Sequence, residues 1–159
     1  MARSLVTRRN FLQGVTSLTL VSAGSVAAST RPMVQVMKDP GCGCCGAWIE
    51  IMRQSGFEVK PFDADWETLA RFKAENGVNQ DMVSCHTAIV DDYVIEGHVP
   101  PKDVWRLLTE RPDAIGLAVP GMPIGSPGMG PESAREAYDV MLMRRDGAAD
   151  VFTAYDAAT

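Results

Sequence analysis

The stretch that decides the predicted fold runs Met33-Val-Gln-Val-Met-Lys-Asp-Pro-Gly-Cys-Gly-Cys-Cys45. Its first five residues predict a short strand, and Asp39–Gly41 predicts a turn that delivers Cys42–Cys45 to the start of a helix. The apolar side chains that follow recur on one helical face, and Gly56 is typical of a helix C-terminus. Three thiols within four residues therefore lie where a strand meets a helix.

The pattern continues with a second strand, a second helix, a hairpin and a third helix. The predicted ranges are 57–62, 65–75, 87–90 with 93–95, and 101–111. The resulting order is βαβαββα. We expect the three tryptophans, Trp48, Trp66 and Trp105, to lie in the core, because large aromatic side chains contribute most by being buried.

The remainder of the chain predicts a loop and a terminal hairpin. Residues 116–131 are rich in glycine, proline and methionine, and we expect a loop there rather than a regular helix or central strand. Residues 138–143 and 151–155 flank Arg145-Asp-Gly147 and predict a hairpin that extends the sheet.

The order of elements, with Cys42 and Cys45 in a Cys-x-x-Cys frame at the strand-to-helix turn, resembles the thioredoxin fold over residues 33–111. In thioredoxin-like proteins the segment before the third strand packs against the redox cysteines and usually ends in Pro-Thr. Here that segment reads Ser84-Cys-His-Thr87. The resemblance implies that Cys85 or His86 faces the Cys42–Cys45 turn.

The chemistry of the thiols indicates a soft-metal site. Thiols at a helix N-terminus lie near unsatisfied N–H groups that stabilise thiolate, which is both the nucleophile and the metal ligand. Adjacent helical residues such as Cys44 and Cys45 point roughly 100° apart, a direction suited to bridging neighbouring ions. Thiolates select Cu(I), Zn(II) or iron–sulfur clusters, and copper is the metal expected in an oxidising compartment.

Two disulfides are the alternative state of the four cysteines, since their number is even. Pairing Cys44 with Cys45 would be strained, and pairing Cys42 with Cys44 would close a very tight loop. Only Cys85 closes a long loop, which is where a structural disulfide gains most.

Further candidate ligands lie outside the cysteine motif. Pro-Gly-Met occurs twice in the loop and places Met122 and Met129, whose thioethers suit Cu(I), on a glycine-rich backbone. Either methionine could instead cover apolar surface. His98 and His86 are candidates for ligands or proton carriers, with a capping or surface position as the alternative for each.

The N-terminus predicts export. Thr7-Arg-Arg-Asn-Phe-Leu12 leads into a mildly apolar stretch that ends in Val26-Ala-Ala28, a pattern typical of a twin-arginine signal peptide cleaved near residue 28. The stretch is shorter than the roughly 20 apolar residues of a membrane span. We therefore expect a periplasmic protein without a membrane segment after cleavage, with residues 29–159 forming one domain.

The charge argues against nucleic acid as a partner. The formal net charge is −5, and residues 1–28 contain three arginines and no acidic residue. Their removal makes the remaining chain more acidic, whereas nucleic-acid-binding proteins are basic.

Over the whole mature chain the sequence resembles the CopG-type periplasmic copper-resistance proteins, which are small, thioredoxin-like and metal-binding. The resemblance rests on four motifs and the terminal hairpin that follows them. The motifs are Asp39-Pro-Gly-Cys-Gly-Cys-Cys45, Ser84-Cys-His-Thr87, Glu96-Gly-His-Val-Pro100 and Val119-Pro-Gly-Met-Pro-Ile-Gly-Ser-Pro-Gly-Met129.

The resemblance implies copper bound by Cys42, Cys44, Cys45 and Cys85, and it makes a change in the oxidation state of copper a candidate role. His98, Met122 and Met129 are then further ligands or groups at an entry site. The sequence predicts a multinuclear Cu(I) site in a copper-tolerance protein, with copper ions and other periplasmic copper-handling proteins as partners.

Two other functional classes remain open. One is a thiol–disulfide oxidoreductase that uses Cys42 and Cys45 as the exchanging pair, although a third adjacent thiol is awkward for that role. The other is a zinc or iron–sulfur module.

Overall fold

A computed structural model describes residues 31–159. The predicted signal peptide, residues 1–28, lies outside the described residues. Within them the chain forms seven strands, three α-helices and two short 3₁₀ turns. The α-helices and strands are β1 (Met33–Lys38), α1 (Gly43–Gln54), β2 (Glu58–Asp63), α2 (Trp66–Glu75), β3 (His86–Val90), β4 (Tyr93–Glu96), α3 (Pro101–Glu110), β5 (Gly116–Ala118), β6 (Tyr138–Met143) and β7 (Ala149–Tyr155).

All seven strands belong to one mixed sheet in the order β2-β1-β3-β4-β5-β6-β7. The pairs β1–β2 and β4–β5 are parallel, and the other pairs are antiparallel. The α/β class, the βαβαββα order and the terminal hairpin predicted from the sequence are confirmed. The parallel pairs are joined through helices, as a parallel connection requires.

The expectation that residues 116–131 form only a loop is wrong for the first three of them. Gly116–Ala118 form β5, which lies between β4 and β6 and is buried. The strand is too short to show an alternating pattern. Its partners on both sides are distant in sequence, so only the folded sheet defines it.

Two apolar clusters lie on opposite faces of the sheet because side chains alternate along each strand. Trp48 from α1 and Leu107 from α3 pack in the larger cluster with side chains from six strands, among them Val34 and Val36. The smaller cluster contains Val94 and Ala118 with apolar side chains from the segment after α2.

The prediction that all three tryptophans are core residues is right for Trp48 alone. Trp48 is fully buried, whereas Trp66 is 70% exposed and Trp105 is 38% exposed. Trp66 is the first residue of α2, directly after the Asp65 cap, so its side chain precedes the turn that packs on the sheet.

Helix α1 starts as the sequence predicts. Cys42 is its N-cap, and the Cys42 Sγ accepts a hydrogen bond from the Cys45 N–H at 3.3 Å. A helix N-terminus has backbone N–H groups without intrahelical partners, so a sulfur at this position gains a donor. Among residues 31–159, no helix is both long enough and apolar enough to cross a membrane.

Candidate metal centre

The four cysteines meet at the N-terminus of α1. Cys44 and Cys45 lie in the first turn of the helix, and Cys85 lies directly before β3. All four Sγ atoms are within 4.8 Å of one another. The fold therefore brings Cys85 to the Cys42–Cys45 turn, as the sequence predicts.

The sulfurs form one disulfide and two free thiols. Cys42 is joined to Cys45, while Cys44 and Cys85 are free. The Cys44 Sγ lies 3.5 Å from the Cys42 Sγ, and the Cys85 Sγ lies 3.5 Å from the Cys45 Sγ and 3.9 Å from the Cys44 Sγ. The alternative with two disulfides is not the state that the structure contains.

His98 places a ring nitrogen on the Cys85 sulfur. Its Nε2 is 3.0 Å from the Cys85 Sγ, and its Nδ1 is 2.7 Å from the Pro127 carbonyl oxygen. A carbonyl can only accept, so Nδ1 carries the proton of the neutral ring and Nε2 presents a lone pair to the sulfur. His98 is fully buried, which excludes the surface position that the sequence left open.

His86 contacts the same sulfur, and its ring centroid lies 5.1 Å from that of His98. Its Nδ1 is 3.3 Å from the Cys85 Sγ, and its ring packs at 4.6 Å from the Trp48 ring. The Nε2 atom is buried and has no hydrogen-bond partner among the described residues. Buried polar atoms are normally paired, so this atom is an exception within the site. Its burial excludes the surface position that the sequence left open for His86.

Burial sets the protonation of these groups. Burial, and to a smaller extent the nearby Cys44, raise the pKa of the Cys85 thiol to about 12. Burial lowers the pKa of His98 and lowers that of His86 well below its usual value. At neutral pH the site therefore contains a protonated Cys85 and two neutral imidazoles, and a metal that binds Cys85 must displace its proton.

A buried ion pair supports the Cys85 segment. The Glu96 Oε1 accepts from the Lys73 Nζ and from the Ser84 backbone N–H, both at 2.6 Å, while Oε2 accepts from the Thr87 Oγ1 at 2.6 Å. Lys73 and Glu96 are almost completely buried. Burial raises the pKa of Glu96, and the Lys73 ammonium acts in the opposite direction.

This carboxylate thus binds the residues on either side of Cys85-His86. The pair could not be predicted from the sequence, because a lysine on a helix is usually exposed. Glu96 lies within the Glu-Gly-His-Val-Pro motif, but nothing in that motif indicates its partner.

The glycine-rich loop packs against the first turn of α1. A Cβ on Gly128 would lie 2.8 Å from both the Cys44 carbonyl oxygen and the Trp48 nitrogen, so only glycine fits there without movement. Of the two methionines, Met129 is half-buried next to Gly128, and Met122 is 53% exposed. Both belong to the loop whose Gly128 and Pro127 contact α1 and His98, and a ligand role for either methionine stays a prediction.

The donor set fits a soft metal ion. Sulfurs that share one tetrahedral ion at about 2.3 Å are separated by about 3.8 Å, close to the separations of Cys85 from Cys45 and Cys44. Opening the Cys42–Cys45 disulfide would supply four thiolates, with imidazole nitrogens adjacent. These separations suit one ion or a bridged cluster.

The fold and the site define a mixed α/β protein with a partly buried cysteine–histidine cluster suited to a soft metal. Two solved structures are similar to the chain, both described as copper resistance protein CopG. Form 2 has 40% sequence identity with a TM-score of 0.73, and covers 79% of this chain and 99% of its own. Form 1 has 39% identity with a TM-score of 0.75, and covers 80% of this chain and 99% of its own.

The chain belongs to the family of copper resistance protein CopG. A family model described as "Protein of unknown function, DUF411" matches residues 82–129, which include Cys85, both histidines and both loop methionines. Comparison with curated protein sequences gave no significant match.

Proposed function

We propose that the chain binds copper as Cu(I) in the periplasm and acts in copper tolerance. The observation that supports this most is the meeting of four cysteine sulfurs within 4.8 Å in a protein of the copper resistance protein CopG family. Thiolates are soft ligands that favour Cu(I) over harder cations. Reduction of the Cys42–Cys45 disulfide by two electrons completes the set Cys42, Cys44, Cys45 and Cys85.

We propose several copper ions per chain rather than one. Cys44 and Cys45 are consecutive on α1, and each also lies within 4 Å of the Cys85 sulfur. A thiolate has more than one lone pair, so neighbouring thiolates can each bridge two ions. His98 is a further ligand in this proposal, because its Nε2 lone pair already faces the Cys85 sulfur. Met122 and Met129 are groups at the entry to the site.

The cysteine pair also offers a route for copper redox chemistry. In that reaction the thiolates of Cys42 and Cys45 each lose one electron and form the disulfide, while two Cu(II) ions each gain one electron and become Cu(I). Electrons and charge balance without a further reactant. The disulfide beside two free thiols supports this finer proposal.

The test is a Cu(I) titration of reduced mature protein without oxygen, followed by metal analysis. The Cys85→Ser variant is measured beside the wild type, and the exposed Met122→Leu variant serves as the control for the entry-site methionine. We expect several coppers per wild-type chain, a sharp reduction for Cys85→Ser, and an unchanged number for Met122→Leu. One zinc or no metal in the wild type would contradict the proposal.

A thiol–disulfide oxidoreductase is the second candidate, and the Cys42–Cys45 disulfide at a helix N-terminus is the observation that favours it. The Cys44→Ser variant separates the two candidates. Exchange through Cys42 and Cys45 should survive this substitution, whereas a shared copper cluster should not.

A zinc or iron–sulfur module is distinguished by colour and by competition. An iron–sulfur cluster absorbs visible light, while Cu(I) and Zn(II) thiolates absorb essentially in the ultraviolet. Copper should displace zinc from the loaded protein, because copper binds such donors more tightly. Cells that lack the protein should be more sensitive to copper than to zinc, and equal sensitivity would count against the copper proposal.

A further inference from the structure

The disulfide has a free thiol beside each of its two sulfurs. The Cys85 Sγ lies 3.5 Å from the Cys45 Sγ, and the Cys44 Sγ lies 3.5 Å from the Cys42 Sγ. Thiol–disulfide exchange proceeds by attack of a thiolate on one sulfur, which releases the other sulfur as a thiolate. The structure therefore contains two candidate nucleophiles for one disulfide.

The surroundings distinguish these two nucleophiles. If Cys85 attacks Cys45, the sulfur released is Cys42, which is the N-cap of α1 and already accepts the Cys45 N–H. A helix N-terminus stabilises the negative charge that develops there. If Cys44 attacks Cys42, the sulfur released is the fully buried Cys45, and the new disulfide closes a three-residue loop. Attack by Cys85 is the favoured route.

A proton acceptor lies beside the Cys85 thiol. The His98 Nε2 is 3.0 Å from the sulfur, and the hydrogen bond from Nδ1 to the Pro127 carbonyl leaves Nε2 as the lone-pair nitrogen. A positioned base within hydrogen-bond distance can take the proton as the thiol attacks.

We propose that Cys85 and His98 make the Cys42–Cys45 disulfide exchange within the chain to Cys45–Cys85. The Cys85 sulfur bonds to the Cys45 sulfur, the Cys42–Cys45 bond breaks, and its electron pair leaves on Cys42. The Cys85 proton passes to the His98 Nε2. One disulfide forms and one breaks, so no external oxidant or reductant is needed.

The exchange changes which thiols are available. Before it, the free pair is Cys44 and Cys85, and the Cys85 Sγ contacts the His98 ring. After it, the free pair is Cys42 and Cys44, whose half-buried Sγ atoms are 3.5 Å apart at the start of α1. An oxidised chain would then present two neighbouring thiols at the N-terminus of α1. This exchange requires no bound copper, so the outcome of its test does not depend on whether the proposed copper function is correct.

The test uses the mature, metal-free Cys44→Ser protein, in which Cys85 is the only free thiol of the Cys42–Cys45 form. The oxidised protein is incubated with a chelator and N-ethylmaleimide, quenched in acid, digested, and mapped by mass spectrometry. We expect maleimide on Cys42 together with a Cys45–Cys85 disulfide, because alkylation traps the exchanged form. A Cys45–Cys85 disulfide already present at the start is also a positive result.

Maleimide confined to Cys85, no labelling of the folded protein, or a Cys42–Cys85 disulfide would overturn the exchange route. The Cys44→Ser/Cys85→Ser protein is the control, since it has no free thiol and should stay unlabelled. Circular dichroism of each variant confirms that it is folded.

Two matched histidine variants test the base on the Cys44→Ser background. His98→Gln should slow the trapping of Cys42 by about a hundredfold, the order of effect expected from loss of a general base. His86→Gln removes the other imidazole near Cys85, but the His86 Nε2 has no hydrogen-bond partner that would fix a lone pair of Nδ1 toward the sulfur. Equal slowing by both variants would overturn the role of His98.

Discussion

The site is built from two regions of opposite character, the first turn of α1 and the two strand ends that face it. The α1 turn, residues 42–45, starts a helix, is mostly half-exposed, and carries three sulfurs in four residues. The strand ends, residues 84–87 and 96–98, carry one sulfur and two buried imidazoles, and they are held by the buried ion pair of Lys73 with Glu96. The comparison shows that one region supplies most of the ligands, while the other determines where the last ligand lies.

The two regions also differ in what holds them. The α1 turn is shaped by short-range contacts, such as the Cys42 N-cap and the Asp39 turn before it. The strand ends depend on contacts between residues far apart in sequence, above all Lys73 with Glu96 and Glu96 with Ser84. Substitutions in the supporting contacts of each region should therefore differ in their effects.

The largest effect is expected from Lys73→Met, which leaves the Glu96 carboxylate buried without its counter-charge. We expect a loss of about 3–5 kcal/mol in the free energy of unfolding. Urea denaturation of the metal-free protein measures it. The control is Arg145→Met, which removes an exposed pair with Asp113 and should cost less than about 1 kcal/mol. Similar losses in both variants would show that the strand ends do not depend on the buried pair.

A smaller effect is expected where the loop meets the α1 turn. Gly128→Ala would place a Cβ 2.8 Å from the Cys44 carbonyl and the Trp48 nitrogen, whereas a Cβ on Gly121 meets nothing within 4 Å. Both glycines have positive φ, 88° and 68°, so both substitutions carry a backbone cost of about 1–2 kcal/mol.

Overlap at Gly128 should add about 1–3 kcal/mol of destabilisation. The difference between the two midpoints of thermal unfolding therefore isolates the contact between the loop and the helix. Equal midpoints would mean that the loop moves to accommodate the Cβ of residue 128 without a loss of stability.

The smallest effect is a pH dependence that belongs to the strand ends. Burial lowers the pKa of His86 and His98 in the folded chain, so below the ordinary value of 6.5 the unfolded chain binds protons that the folded chain does not. The stability that the two neutral histidines contribute is fully present above pH 6.5 and is lost as the pH falls below that value. We expect about 1 kcal/mol per histidine between pH 6.5 and 5.5 in the metal-free protein.

Glu96 acts in the opposite direction, because burial raises its pKa from 4.5 and the folded chain then binds a proton more readily. Comparison with His86→Gln therefore isolates the histidine contribution. This variant should lose less stability over the same pH range, measured by denaturant titration at each pH. An identical loss in the variant would contradict the assignment to His86.

The α1 turn could be predicted from the sequence, and much of the opposite region could not. Cys42 as the helix start follows from local turn and helix signals, and the resemblance to thioredoxin placed Cys85 nearby. Lys73 could not be predicted as buried, since its partner Glu96 is 23 residues away. Strand β5 could not be predicted for a similar reason, since its three residues form a strand only through pairing with β4 and β6, which are distant in sequence.

Trp66 is the converse case, an apolar residue that is exposed although the sequence predicts burial. Its apolar character predicted burial, but its place at the first position of α2 leaves the ring outside the contact with the sheet. Periodicity identifies the elements, while the packing of their ends is set by the folded chain.

In the proposed function, the two regions bind copper together through four thiolates. The most direct measurement is anomalous X-ray diffraction at the copper edge from crystals of reduced, copper-loaded protein. We expect copper within bonding distance of the Cys85 sulfur and of the α1 cysteines in the same molecule, with the Cys42–Cys45 disulfide open. Copper bound only outside this cluster, or an intact Cys42–Cys45 disulfide beside an empty cluster, would contradict it.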